Sequence, residues 1–198
     1  IKESELLSGP LESTNEAYAI AKICGLIQAK YLRLEHGIDV RSVMPTNLYG
    51  PGDNFDLNTS HVVPALLSKF RTAILEQSSN VTIWGSGSPR REFLHVKDFA
   101  EACIELVDQP ESTFWGSLPE NVFHMNVGSG QDIAISELAE LIKEITGFEG
   151  SLHFDTEKPD GTPKKLLDVS ILRSLGWKPR IHLREGLKDT YEYLCARS

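Results

Sequence analysis

Tyr18 and Lys22 stand four residues apart, a spacing that puts both side chains on one face of a helix. The chemistry open to such a pair is proton transfer at a carbonyl oxygen. Phenols titrate near pH ~10, too high for easy proton exchange at neutral pH, and a neighbouring ammonium brings the hydroxyl into use as a general acid. Alone the pair is a weak signal, because a chain with five Tyr and many Lys produces this spacing readily. Its setting strengthens it: a helix signal around the pair, a strand signal after it, and a Pro-Thr-Asn-Leu-Tyr-Gly loop at Pro45 to Gly50. Ligands of open α/β sheets lie beyond the carboxyl ends of strands, where that loop falls.

The elements that must hold these groups follow from periodicity. Ser13 to Glu16 has the S-x-x-E form of a capping box and predicts a helix start. Ile20, Ile23, Cys24, Ile27, Tyr31 and Leu34 recur at helical spacing as far as Gly37 and predict a buried stripe. Tyr18 and Lys22 lie roughly 200° around the helix from Ile20 and Cys24, facing away from part of that stripe. Residues 38–44 predict a buried strand stopped by Pro45, and residues 45–60 a loop rich in Asn, Gly, Pro and Asp. Beyond it the pattern predicts a helix over 61–75, with Pro64 tolerated in the first turn, and a strand over 81–84. A Gly-Ser-Gly-Ser-Pro turn at 85–89, an extended piece at 92–96 and a helix opened by Asp98 come next. A strand over 122–127, a helix stopped by Gly147, a strand over 152–154 and a turn at 158–163 follow, then helices over 169–175 and 183–196. Strands alternating with helices predict an α/β fold with parallel strands.

Composition narrows the function. Twenty Lys and Arg against 28 Asp and Glu give a net charge of −8 over 198 residues, which repels a phosphate backbone and argues against nucleic-acid binding. No run approaches the roughly 20 apolar residues of a membrane span, so a soluble, cytoplasmic protein without a membrane partner is expected. Cys24, Cys103 and Cys195 are odd in number and fit no metal-ligand spacing, so no metal site is expected. Cys24 and Cys103 are expected on apolar helix faces, as reduced, structural thiols. No G-x-G-x-x-G follows a strand, so the usual dinucleotide phosphate loop is missing from this sequence.

The runs NEAYAIAKICG, RSVMPTNLYGPGDNF, SHVVPALL, WGSGSPRREFLHVKD, NVGSG and KPDGTPKKLLD together resemble the GDP-L-fucose synthase family of the extended short-chain dehydrogenase/reductase superfamily. The resemblance runs from about Glu3 to the last helix. It implies NADP(H)-dependent epimerisation at C3 and C5 and reduction at C4 of GDP-4-keto-6-deoxy-D-mannose, giving GDP-L-fucose. It also implies a homodimer paired partly through the Tyr-Lys helix, for which Ile20, Ile27 and Leu34 offer a seam. By this resemblance Tyr18 is the general acid at the ketone, and Lys22 holds the nicotinamide ribose and tunes the phenol. His61 acts as an acid in the epimerisations and lies against the cofactor. Pro45, Thr46, Asn47 and Leu48 form the loop against the nicotinamide half. Lys69, Trp84, Arg91 and Asp160 contact the GDP-sugar, Arg91 offering a bidentate fork to the diphosphate and Trp84 a flat wall. Considered singly, Trp84, Arg91 and Asp160 read more readily as a core Trp, a surface Arg and a turn Asp.

The sequence departs from the family in two ways. Lys69 stands where Arg is expected, keeping the charge without the fork. The upstream units carrying the glycine-rich loop, a catalytic Ser or Thr and the Cys that partners the histidine are not in this sequence, and Cys24, inside the Tyr-Lys helix, does not take that role. The fold implied is therefore a partial Rossmann-like sheet interleaved with a smaller α/β substrate domain. Residues 1–50 and 96–128 are assigned to the NADP-binding part, and residues 51–95 and 129–198 to the GDP-sugar part. Weak NADPH binding and an inactive chain are expected from the missing phosphate loop. Two alternatives remain: another extended nucleotide-sugar epimerase or reductase, told apart by its nucleotide preference, and a GDP-sugar-binding module without catalysis.

Overall fold

The computed structural model describes residues 1–197. Two short 3₁₀ turns, Glu3–Glu5 and Ser13–Asn15, lead into helix α1 (Glu16–His36). Strands β1 (Ser42–Pro45) and β2 (Asn47–Tyr49) precede α2 (Val62–Leu75), β3 (Asn80–Trp84), β4 (Arg90–His95), α3 (Val96–Asp108) and α4 (Glu111–Ser117). Then come β5 (His124–Val127), β6 (Asp132–Ala134), α5 (Ile135–Thr146), β7 (Ser151–Asp155), β8 (Lys164–Lys165), α6 (Ser170–Ser174) and α7 (Leu183–Ala196).

The fold is α/β with mainly parallel pairing, as the alternation of strand and helix signals predicts. β1 runs parallel to β5, β3 to β7, and β2 to β4. β4 also pairs antiparallel with β6 and parallel with β8, so its Arg90–Arg91 end is bordered by both. Two apolar clusters hold the layers together. One gathers Leu67 and Phe70 of α2, Leu138 and Ile142 of α5 and Leu187 of α7. The other gathers Ala102 and Leu106 of α3, Phe114 of α4, Met125 and Val127 of β5, and Leu172 of α6. The amphipathic pattern of α5 and its stop at Gly147, which sits in the left-handed region at φ +71°, follow the sequence closely.

Several expectations are corrected. Ser13–Asn15 winds as a 3₁₀ turn, and Asn15 precedes α1 without any side-chain cap, so no capping box forms there. The α1 stripe is not buried: Ile20, Ile27, Tyr31 and Leu34 are 40–58 % exposed and Cys24 is exposed. The helix instead rests on α4 and its surroundings through polar side chains. Arg33 bonds Glu111 at 2.7 Å and covers the Trp115 ring, while Lys30 covers Phe123. Cys103 is half-buried, and none of the three cysteines forms a disulfide among the described residues. β1 begins at Ser42 rather than Ile38, and β5 at His124 rather than Val122. β2, β6, β8 and α4 lie where no separate element was expected.

Candidate functional site

The site is built where the chain passes from one sheet to the next. β1 ends at Pro45 and β2 begins at Asn47, leaving Thr46 alone between them. The Thr46 amide donates to Val127 O at 3.0 Å, and its hydroxyl donates to Glu92 O at 3.2 Å. Asn47 Nδ2 donates to the same Glu92 carbonyl at 2.8 Å. Both side chains are thus committed to the scaffold, and this loop offers a ligand its backbone and Leu48.

Glu92 is a buried residue that sequence reasoning missed. Its side chain is closed off from solvent, with Oε1 accepting from the Gly130 amide at 2.6 Å and Oε2 from the Leu167 amide at 2.9 Å. The Ser129 hydroxyl adds a longer bond to Oε1 at 3.4 Å. Gly128 lies so close that a Cβ there would run into the carboxyl group. No local signal marks it, since Glu92 follows two arginines in β4 and the donors that a buried carboxylate requires come from distant segments.

Two adjoining hollows open in front of this frame. The first, about 200 Å³, is lined by Asn47, Leu48, His61, Val62, Arg91 and Phe93. The second, about 180 Å³, is lined by Val62, Trp84, Gly87, Arg91, Asp160 and Gly161. Val62 and Arg91 belong to both, so six sequence-predicted residues (Asn47, Leu48, His61, Trp84, Arg91 and Asp160) border this pair of hollows, referred to together as the depression. His61 enters it from the N-cap of α2, where its carbonyl accepts the Ala65 amide at 2.9 Å and its exposed side chain is left clear of the helix. Arg91 bonds the Arg90 carbonyl at 2.8 Å and is paired with no carboxylate among the described residues.

Trp84 ends β3 and is 64 % exposed, not a core residue. The Lys69 ammonium lies 5.0 Å and the Lys158 ammonium 5.8 Å from the centre of its ring, so cations flank a flat exposed wall. Lys69 also donates to Thr82 O at 2.9 Å, and burial pushes its ammonium below the ordinary lysine pKa. Asp160 clasps the Gly85–Pro89 turn: its carboxylate accepts the Ser86 hydroxyl at 2.6 Å and the Ser86 amide at 2.9 Å. Those two bonds hold its carboxyl below the usual range. Gly85 sits at φ +79°, and a Cβ there would collide with the Asp160 carboxylate.

Tyr18 and Lys22 line neither hollow. Tyr18 is 67 % exposed on α1, with the Lys22 ammonium 5.4 Å from its ring centre. Pro45, at the exposed end of β1, and Thr46 line neither hollow. No group of three His, Cys, Asp or Glu side chains suited to a metal occurs among the described residues, nor does any helix long and apolar enough to cross a membrane.

Comparison with known proteins places these features in one class. Residues 1–128 match the model of the NAD dependent epimerase/dehydratase family, and the chain belongs to that family. It is 54 % identical over 193 residues to a putative GDP-L-fucose synthase 2 of Arabidopsis thaliana, covering 98 % of this chain and 56 % of the relative. It is 50 % identical over 191 residues to the GDP-L-fucose synthase of Escherichia coli K12, covering 96 % and 60 %. The chain thus spans between half and two thirds of the length of these curated relatives. Among solved structures it is similar to a GDP-6-OMe-4-keto-L-xylo-heptose reductase from C. jejuni, with TM-score 0.88, 33 % identity and coverage of 100 % of this chain and 66 % of that one. It is also similar to a GDP-L-fucose synthetase from Naegleria fowleri bound to NADP, with TM-score 0.85, 28 % identity and coverage of 100 % and 61 %.

Proposed function

We propose that this chain carries the GDP-sugar side and part of the catalytic set of an NADP(H)-dependent GDP-L-fucose synthase, which epimerises C3 and C5 and reduces C4 of GDP-4-keto-6-deoxy-D-mannose. The observation that carries the reading is the pair of adjoining hollows, sharing Val62 and Arg91, that brings Asn47, His61, Trp84, Arg91 and Asp160 together from four separate stretches of chain. Identity of about half to curated GDP-L-fucose synthases over nearly the whole chain supports it.

In this reading the guanine lies on Trp84, flanked by Lys69 and Lys158, and Arg91 takes the diphosphate with its unpaired fork. Asp160 shapes this end by holding the Ser86 turn and borders the nucleotide from the opposite side. The sugar then reaches the first hollow, where His61 gives a proton to the carbon being inverted. Tyr18 gives a proton to the C4 oxygen as the ketone is reduced, and Lys22 orients that phenol and the cofactor ribose. The Pro45–Leu48 loop, with Leu48 on the edge of the first hollow, would meet the nicotinamide end of the cofactor, and no glycine-rich loop for its pyrophosphate occurs in this sequence. Bound NADPH supplies the hydride for C4. The assignment of residues 1–50 and 96–128 to the cofactor part and of 51–95 and 129–198 to the sugar part belongs to the same reading. So does a cytoplasmic homodimer seated on the exposed Ile20, Ile27 and Leu34 of α1.

Calorimetric titration of GDP into the chain, with UDP as control, tests the reading. GDP is expected to bind selectively and to lose at least about tenfold in affinity in Arg91→Ala, roughly the 1.4 kcal/mol that one charge-assisted contact supplies. NADPH is expected to bind weakly to the same chain, because no glycine-rich phosphate loop occurs in its sequence. Equal affinity for GDP and UDP, or unchanged GDP affinity in Arg91→Ala, refutes the assignment.

A further inference from the structure

A further cavity meets this machinery at Phe93 alone. About 680 Å³ in volume, it lies between the two apolar clusters. Tyr49, Phe93, Ile133 and Leu183 wall it from the first cluster, and Leu94 and Trp177 from the second. It shares only Phe93 with the His61 hollow and nothing with the Trp84 hollow. Volume in the range of small-molecule sites, aromatic walls and a place at the seam between two packed bodies are the usual attributes of a ligand pocket.

The charge of the lining is one-sided. Arg173, Lys178 and His182 stand on its exposed rim, and none of them pairs with a carboxylate among the described residues. Arg173 is held at the mouth by a 3.1 Å bond from Nη2 to Ser129 O, which leaves its other donors uncommitted to that turn. The acid in the lining, Asp132, is already taken by Arg90 at 2.8 Å and Lys164 at 2.9 Å. Tyr49 adds no negative charge, because burial, reinforced by Asp98 and Asp189, pushes its phenol well above the ordinary range. A cationic mouth over an aromatic floor, in a chain of net charge −8, is a local inversion of the overall field.

We propose that this cavity is a second small-molecule site, selective for a flat aromatic ring bearing an anionic group. The ring lies against Trp177 and Phe93, and the anion is held by Arg173 and Lys178. The site is independent of the GDP-sugar reading.

The test uses the three indole N–H signals of the ¹⁵N-labelled chain, from Trp84, Trp115 and Trp177, during titration with naphthalene-2-sulfonate. The Trp177 signal is expected to shift saturably while the Trp84 signal stays in place. The double variant Arg173→Ala/Lys178→Ala is expected to weaken binding about tenfold, a loss of ~1.4 kcal/mol. Both substitutions are on exposed side chains, and unmoved Trp84 and Trp115 signals establish that the variant is folded. The uncharged naphthalen-2-ol is expected to bind more weakly than the sulfonate. Failure of the Trp177 signal to saturate at millimolar probe, equal affinity in the double variant, or equal affinity for the uncharged analogue overturns the proposal.

Discussion

Replacing Glu92 by Gln tests whether one buried side chain holds the frame of the depression. The geometry gives the two oxygens separate work: Oε1 accepts the Gly130 amide and Oε2 the Leu167 amide. Gln keeps the shape but has only one oxygen. Whichever way its amide turns, an NH₂ group meets a backbone N–H, and that N–H loses its partner inside a fully enclosed site. An unsatisfied buried donor costs about 1–3 kcal/mol, and the opposed donors put the expected loss near the top of that range. With a urea slope of about 2 kcal/mol/M, the unfolding midpoint falls by about 1.5 M. Amide exchange locates the damage: Gly130 or Leu167 loses protection first, while β3 and β7, which Glu92 does not touch, keep theirs. Leu167 closely follows β8, so its release also loosens the segment that begins where the Arg90 amide donates to Pro163 O. A midpoint shift below about 0.3 M with unchanged exchange at both amides refutes the claim that the carboxyl group organises these three stretches.

Arg41 closes the end of α3: its guanidinium donates to Leu106 O, Val107 O and Gln109 O, pairs with Asp39 at 2.7 Å and covers the Phe114 ring. Arg41→Ala is expected to cost about 3 kcal/mol and to lower the melting temperature by about 6–12 °C, measured by calorimetry. His95 and His124 are both pushed below the ordinary histidine pKa, chiefly by burial. The unfolded chain therefore takes up protons first as pH falls through about 6.5, so their contribution to stability is complete above that pH and is lost as pH falls through the lower folded values. The urea midpoint is expected to fall between about pH 7.5 and 5.5, and His95→Asn, which keeps an acceptor for the Lys97 amide, to reduce that slope.

What the sequence made legible follows the range of the forces involved. α7 and β3 are visible because periodicity and the residues that end them are local, and α7 spans Leu183–Ala196 as its pattern predicts. β6 and β8, three and two residues long, exist because β4 lends them partners, which no window of sequence contains. β2 hides in a Pro-Asn-Gly loop for the same reason. The apolar stripe of α1 was read correctly as apolar and wrongly as buried, since periodicity reports which residues share a face and not what lies opposite. Glu92 was invisible because its donors come from 37 to 75 residues further along the chain. His61, Trp84, Arg91 and Asp160 reached the depression only through a resemblance, each being ordinary taken alone.

Thr46 stitches two sheets at one point, its amide bonded to the β5 end and its hydroxyl to β4. A rocking motion of one sheet against the other would have to strip both bonds from the same residue. Thr46 thereby couples the strand that carries Arg91 and Phe93 to the β1–β5 pair. Tightening around a bound molecule falls instead to the 156–163 turn, tethered to the Ser86 turn through the exposed carboxylate of Asp160. Under the proposed function, affinity at this end includes the free energy of ordering a surface loop, while alignment at the His61 end rests on a hydrogen-bonded frame.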